Sequence, residues 1–109
     1  MTQRHGFIGE FEQMVLLAVL QLGTAAYGPD ISEELEQKAN RRVSRGALYS
    51  SLDRLKHKGF LRWEIEGATS ERGGHPKRRF EVTPAGLRAL RAAHRALTNL
   101  TAGLEELLG

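Results

Sequence analysis

Val43–Leu61, VSRGALYSSLDRLKHKGFL, is the stretch on which the reading of this chain turns. Ser44 is a good N-cap, because its hydroxyl can accept a hydrogen bond from a free first-turn amide. Leu48, Ser51, Leu52 and Leu55 recur at helical spacing and predict one buried stripe. Gly59 suits the position just past the helix end, and His57 and Lys58 favour the negative end of the dipole. The opposite face carries Gly46, Tyr49, Ser50, Asp53 and His57, flanked by Arg45, Arg54 and Lys56. It is small, polar and basic near its N-terminal end. Short residues with donors in the first turns suit close approach to a DNA major groove. An ordinary amphipathic helix with a solvated face fits the same stripe, so the neighbouring segments must decide.

Upstream, Glu10–Leu22 reads as a first helix, apolar on nearly every side from Met14 to Leu22. Such a helix must be covered on every side. A chain of 109 residues can cover one side itself, and the other side asks for a second subunit. Met1–Gly9 is polar and reads as a loose arm. Gly23 is a C-cap glycine. Pro29 fits the first position of a second helix running to about Ala39, with Asp30, Glu33 and Glu34 in its first turns and Ile31 and Leu35 buried. Asn40, Arg41 and Arg42 form a short basic turn. Two helices on a tight turn, the second bearing the small polar face, make a helix-turn-helix.

Downstream of Gly59 the period changes from helical to two. Leu61, Trp63 and Ile65 alternate with Arg62, Glu64 and Glu66, which reads as a strand with the apolar set inward. Trp63 is read as a core or interface residue before a pocket lining. Gly67–Pro76 is a polar, glycine-rich loop, and Lys77–Val82 is the return strand with Phe80 and Val82 inward. The hairpin tip is basic, with Arg72, His75, Lys77 and Arg78 near it and Gly73 and Gly74 allowing close approach. Thr83 caps a final helix and Pro84 opens it. Leu90, Ala93, Leu97, Leu100, Leu104 and Leu107 step along it as one apolar seam. The fold class expected is mainly α with a small β-hairpin. A winged helix-turn-helix occupies residues 1–83 and a C-terminal dimerisation helix residues 84–109. Met14, Leu17, Leu90, Leu97, Leu100, Leu104 and Leu107 are the expected dimer interface.

Other chemistries find little support. There is no cysteine, and His5, His57, His75 and His94 show no ligand spacing, so no metal is expected. Ser44 or Ser50 lacks the histidine and acid a nucleophile needs, and no glycine-rich loop opens a helix after a strand. Neither an enzyme nor a bound cofactor is expected. No segment has the length of a signal peptide core or membrane span, which fits a cytoplasmic chain without a membrane partner. The formal net charge of +3 allows an anionic partner.

Three segments resemble the PadR-type transcriptional regulators, over nearly the whole chain. They are LLAVLQLGTAAYGPDISEEL, VSRGALYSSLDRLKHKGFL and GGHPKRRFEVTPAGLRAL. The specific features are the tyrosine of the groove helix, its Leu-x-x-Leu-x-x-x-Gly-x-Leu run, and a Gly-x-Pro-Lys wing leading into Thr-Pro-x-Gly. The resemblance implies a winged helix, dimers built from the first and last helices, and repression relieved by a small-molecule effector. A single C-terminal helix places the chain with the short subtype. By motif match, Tyr49 meets the DNA backbone, Ser44, Arg45 and Ser50 lie close to bases or phosphates, and His75, Lys77 and Arg78 belong to the wing. His75 stands where an arginine is frequent. Gly46 and Arg54 complete the expected DNA-binding set. Asp53, if it faces DNA, must pair with a neighbouring arginine or accept from cytosine. The expectation is a homodimeric, sequence-specific regulator that represses by occupying a double-stranded operator. The alternative is a winged-helix protein–protein interaction module, which would not need Arg45, Lys77 and Arg78 near one surface.

Overall fold

Leu48, Ser51, Leu52 and Leu55 are all buried in the computed structural model, which describes residues 8–66 and 77–109. They lie on helix α3 (Arg45–His57), which follows α1 (Glu10–Leu22) and α2 (Gly28–Ala39). Strands β1 (Leu61–Glu66) and β2 (Lys77–Val82) come next, then α4 (Pro84–Thr101) and the short α5 (Glu105–Leu108). Val15, Leu16 and Val19 of α1, Ile31 and Leu35 of α2, and the α3 leucines form one core. Phe60, Leu61, Phe80 and Leu90 close it from the hairpin side. Each fully buried side chain of this size stabilises by about 1.5–3 kcal/mol, which holds the three helices at fixed mutual angles.

Local chemistry sets the ends of these elements. The Ser44 hydroxyl accepts from the Ala47 amide at 3.1 Å and starts α3. After α3, Gly59 takes φ +84°, and the Gly59 and Phe60 amides donate back to Lys56 and Leu55 at 2.9 and 3.0 Å. This stop needs a residue without a Cβ. Asn40, with φ 52°, ends α2 in the same left-handed region and turns the chain toward α3. Thr83 does two jobs. Its hydroxyl accepts from the Gly86 amide at 3.0 Å to cap α4, and donates to the Gly59 carbonyl at 2.6 Å.

The strands pair antiparallel with Leu61 opposite Val82, Trp63 opposite Phe80 and Ile65 opposite Arg78. The connector before α2 adds a short third edge: the Phe80 amide donates to the Ala26 carbonyl at 2.9 Å, and Tyr27 bridges Arg79. The wing is therefore anchored to the start of the helix-turn-helix as well as to α3.

Four expectations need correction. Ile8, assigned to the polar arm, is buried in the core. Ile65 is 58% exposed, because the alternation of β1 runs past the edge of the core. The final helix is not continuous to Leu108: it ends at Thr101, Gly103 takes φ +85°, and Leu104 sits in the turn before α5. Leu90, placed at the dimer interface, is only 6% exposed and packs in the chain's own core. The start of α4 lies hard against the hairpin, since a Cβ on Gly86 would overlap the Phe60 carbonyl oxygen. Leu17, Leu97, Leu100 and Leu107, in contrast, are exposed large apolar side chains. No helix among the described residues is long and apolar enough to cross a membrane.

Candidate nucleic-acid interface

The N-terminal half of α3, the start of α2 and the base of the wing enclose an open cleft of about 740 Å³. Arg45, Gly46, Tyr49 and Asp53 line it from α3, and Lys77 and Arg78 from β2. Tyr27, Gly28, Pro29 and Asp30 form the third wall. The start of α2 also faces the cleft, with Pro29 and the Asp30 carboxylate in its first turn. Among the described residues three cations and two carboxylates thus share one concave surface.

Aromatic rings hold the cations in place. The Arg45 guanidinium lies 5.3 Å from the Tyr49 ring centre, and the Lys77 ammonium 5.5 Å from that of Tyr27. The Arg78 guanidinium is 4.5 Å from the Trp63 ring, and the Lys56 ammonium 5.7 Å from it. Such stacking, worth about 0.5–1 kcal/mol when exposed, orders long side chains in advance of a partner. Tyr27 is further fixed by donating to Glu66 at 2.9 Å. The Arg79 Nε donates to the other oxygen of that carboxylate at 2.7 Å, and Arg79 foremost, then Tyr27, holds the Glu66 carboxyl below its ordinary range.

The structure brings five of the expected contact residues together: Arg45, Gly46, Tyr49, Lys77 and Arg78. Ser44 and Ser50 are exposed on the same helix but outside the cleft lining, and Ser44 is occupied in capping. His75, with Arg72, Gly73 and Gly74, lies outside the described residues. Tyr49 is half-buried rather than free of the core: its hydroxyl sits so close to Gly28 that a Cβ there would overlap it. Arg54 points elsewhere. Its Nε donates to Glu12 of α1 at 3.1 Å and its Nη2 to Ser51 at 3.1 Å. Arg54 is thus engaged by a nearly buried carboxylate and does not line the cleft, though its side chain stays about half exposed. Tyr27 and Trp63 join the site through their rings, and Asp53, expected on this face, lines the cleft with Arg78 near it.

The profile of the Transcriptional regulator PadR-like family matches residues 16–92, from α1 through the first turns of α4. The chain belongs to that family. A PadR-like transcription factor from Bacteroides fragilis superposes with a TM-score of 0.70 at 26% identity, covering 89% of this chain and 88% of that one. A PadR family regulator from Eggerthella lenta gives 0.66 at 28% identity, covering 88% and 81%. The Bacillus subtilis PadR bound to operator DNA shares the fold, with a TM-score of 0.62 at 18% identity over 76% of this chain and 47% of that one. No curated protein matches the sequence. The family and fold of this PadR-like chain are those of transcription regulators, which are not enzymes.

Proposed function

We propose that this PadR-like regulator is a homodimeric, sequence-specific DNA-binding repressor. The observation that carries the reading is the cleft, in which Arg45, Lys77 and Arg78 face one space beside the start of α2. Such an arrangement suits a phosphate backbone crossing between a groove helix and its wing. In this reading α3 enters the major groove with Arg45, Gly46, Tyr49 and Ser50 foremost. Ser44 sits at the phosphates beside it, and Lys77, Arg78 and His75 act from the wing. The operator-bound Bacillus subtilis neighbour supports the same use of the fold. Dimerisation is supported by Leu17 on α1 and by Leu97, Leu100 and Leu107, large apolar side chains left exposed by the single chain. Two groove helices related by a two-fold axis read a pseudo-palindromic operator, and its occupation blocks transcription.

A small-molecule effector belongs to this reading through family likeness. The apolar groove between α1 and α2, lined by Met14, Leu17 and Leu35, holds about 190 Å³. Ligand pockets run to roughly 300–1,000 Å³, so an effector site would be completed by the second subunit.

The test is selection of bound sequences from a pool of random duplexes, followed by affinity measurement across salt concentration. An enriched, inverted-repeat sequence is expected. Lys77→Ala should flatten the slope of log affinity against log salt by about 0.9 for its lost phosphate contact. A pool that enriches nothing, with no salt-dependent retention, overturns the reading in favour of a protein-binding winged helix.

A further inference from the structure

We propose that Asp53 is a specificity-determining residue that withholds Arg78 from the phosphates of non-matching duplexes. The inference rests on the DNA-binding reading and deepens it. Asp53 lies on the exposed face of α3, one turn beyond Tyr49, where on the DNA-binding reading its carboxylate would meet the negative charge of a duplex. Its Oδ1 is 3.8 Å from the Arg78 Nη1. The Arg78 guanidinium stacks on Trp63, so an indole and a carboxylate hold it between wing and groove helix. Among the described residues Lys56 also lies near Trp63, and Arg45 and Lys77 line the same cleft.

The pair is partly solvated, and pairs of that kind are weak enough to exchange partners. On a duplex offering a cytosine amino group to Asp53, the carboxylate accepts from the base and Arg78 is released to a phosphate or a guanine edge. Both charges are then satisfied. On a duplex without that cytosine, Asp53 either keeps Arg78 or stands unpaired beside phosphates, and like-charge juxtaposition is unfavourable. A non-matching sequence therefore forfeits one cationic contact. Discrimination comes from the penalty as much as from the attraction.

The experiment measures fluorescence anisotropy of a labelled random-sequence duplex and of the duplex selected from the random pool, across salt concentration. It uses the full chain, Asp53→Asn, Arg78→Ala and the double variant. Asp53→Asn should tighten binding to the random duplex about three- to tenfold. It should also steepen the salt slope by about 0.9, as Arg78 gains a phosphate. The ratio of selected to random affinity should fall. In the Asp53→Asn background, Arg78→Ala should erase the gain, whereas on the random duplex Arg78→Ala alone should change affinity by less than about twofold. Unchanged or weaker random-duplex binding by Asp53→Asn overturns the inference alone. So does an equal loss from Arg78→Ala in both backgrounds. If the unaltered chain binds neither duplex, the DNA-binding reading fails and takes the inference with it.

Discussion

Glu12→Gln is the most informative change outside the cleft. Glu12 is nearly buried in α1, with its side chain 10% exposed. Lys58 donates to its two oxygens at 2.9 and 3.2 Å, Arg54 at 3.1 Å, and the Gly9 amide at 3.3 Å. Burial pushes the carboxyl's pKa up most, but the hydrogen bonds from Lys58, Arg54 and Gly9 together outweigh it and hold the group below its ordinary range. A carboxylate so depressed stabilises the fold above its unfolded pKa, near 4.5, and loses that contribution as pH falls through the lower folded value. Leaving a buried charge without its partner costs about 3–5 kcal/mol. Lys58 and Arg54 are about a quarter and a half exposed and can turn to water. We therefore expect a loss of about 1–2 kcal/mol at neutral pH after that discount. Urea unfolding at one protein concentration, from pH 7 down to 3, reads it. The gap between parent and variant should narrow as the parent's carboxylate takes up its proton. A gap that stays constant over that range, or is absent at pH 7, refutes the assignment.

Three further outcomes follow from particular contacts. Gly86→Ala should cost about 1–3 kcal/mol in thermal unfolding, because its Cβ would overlap the Phe60 carbonyl, part of the backbone and unable to swing away; an unchanged melt contradicts that packing. Tyr49→Ala should weaken operator binding by about 1–3 kcal/mol per half-site and also lower the melting temperature, since the ring packs over Gly28. Tyr49→Phe should keep the melt and lose affinity, and the reverse pattern excludes a DNA role for the hydroxyl. Leu100→Glu should leave the chain folded, because Leu100 is 74% exposed, but sediment as a monomer at micromolar concentration; a persistent dimer rules out the α4 seam.

Much of the fold was legible because its signals are local. Ser44, Gly59 and Thr83 act within a turn of where they stand, so the starts of α3 and α4 and the stop after α3 could be read residue by residue. The alternation of Leu61 and Trp63 likewise marked β1. What escaped reading depends on distance along the chain. Glu12 looks like an ordinary first-turn acid until Arg54 and Lys58 are brought to it from the far end of α3. The Arg54 contact with Glu12 was hidden for the same reason: helical spacing places its Cα near the candidate face, but a long side chain chooses its partner in space. Leu90 and Leu100 are equivalent in the periodic seam, yet only Leu90 lies where α4 still touches the body. The break after Thr101 was signalled by Gly103 alone, whose positive φ ends the helix rather than merely weakening it.

Thr83 has a mechanical consequence. Its amide donates to Phe60 at 3.0 Å and its hydroxyl to Gly59, so α4 is bolted to the segment that ends α3. With 18 residues, α4 is a lever arm about 27 Å long. A tilt of about 5° at its base moves its far end by roughly 2 Å over that length. Run backwards, a shift of that size at the far end of α4 would swing α3 about its mounting. For the dimer proposed above, register on half-sites roughly 34 Å apart would leave little room for such a swing.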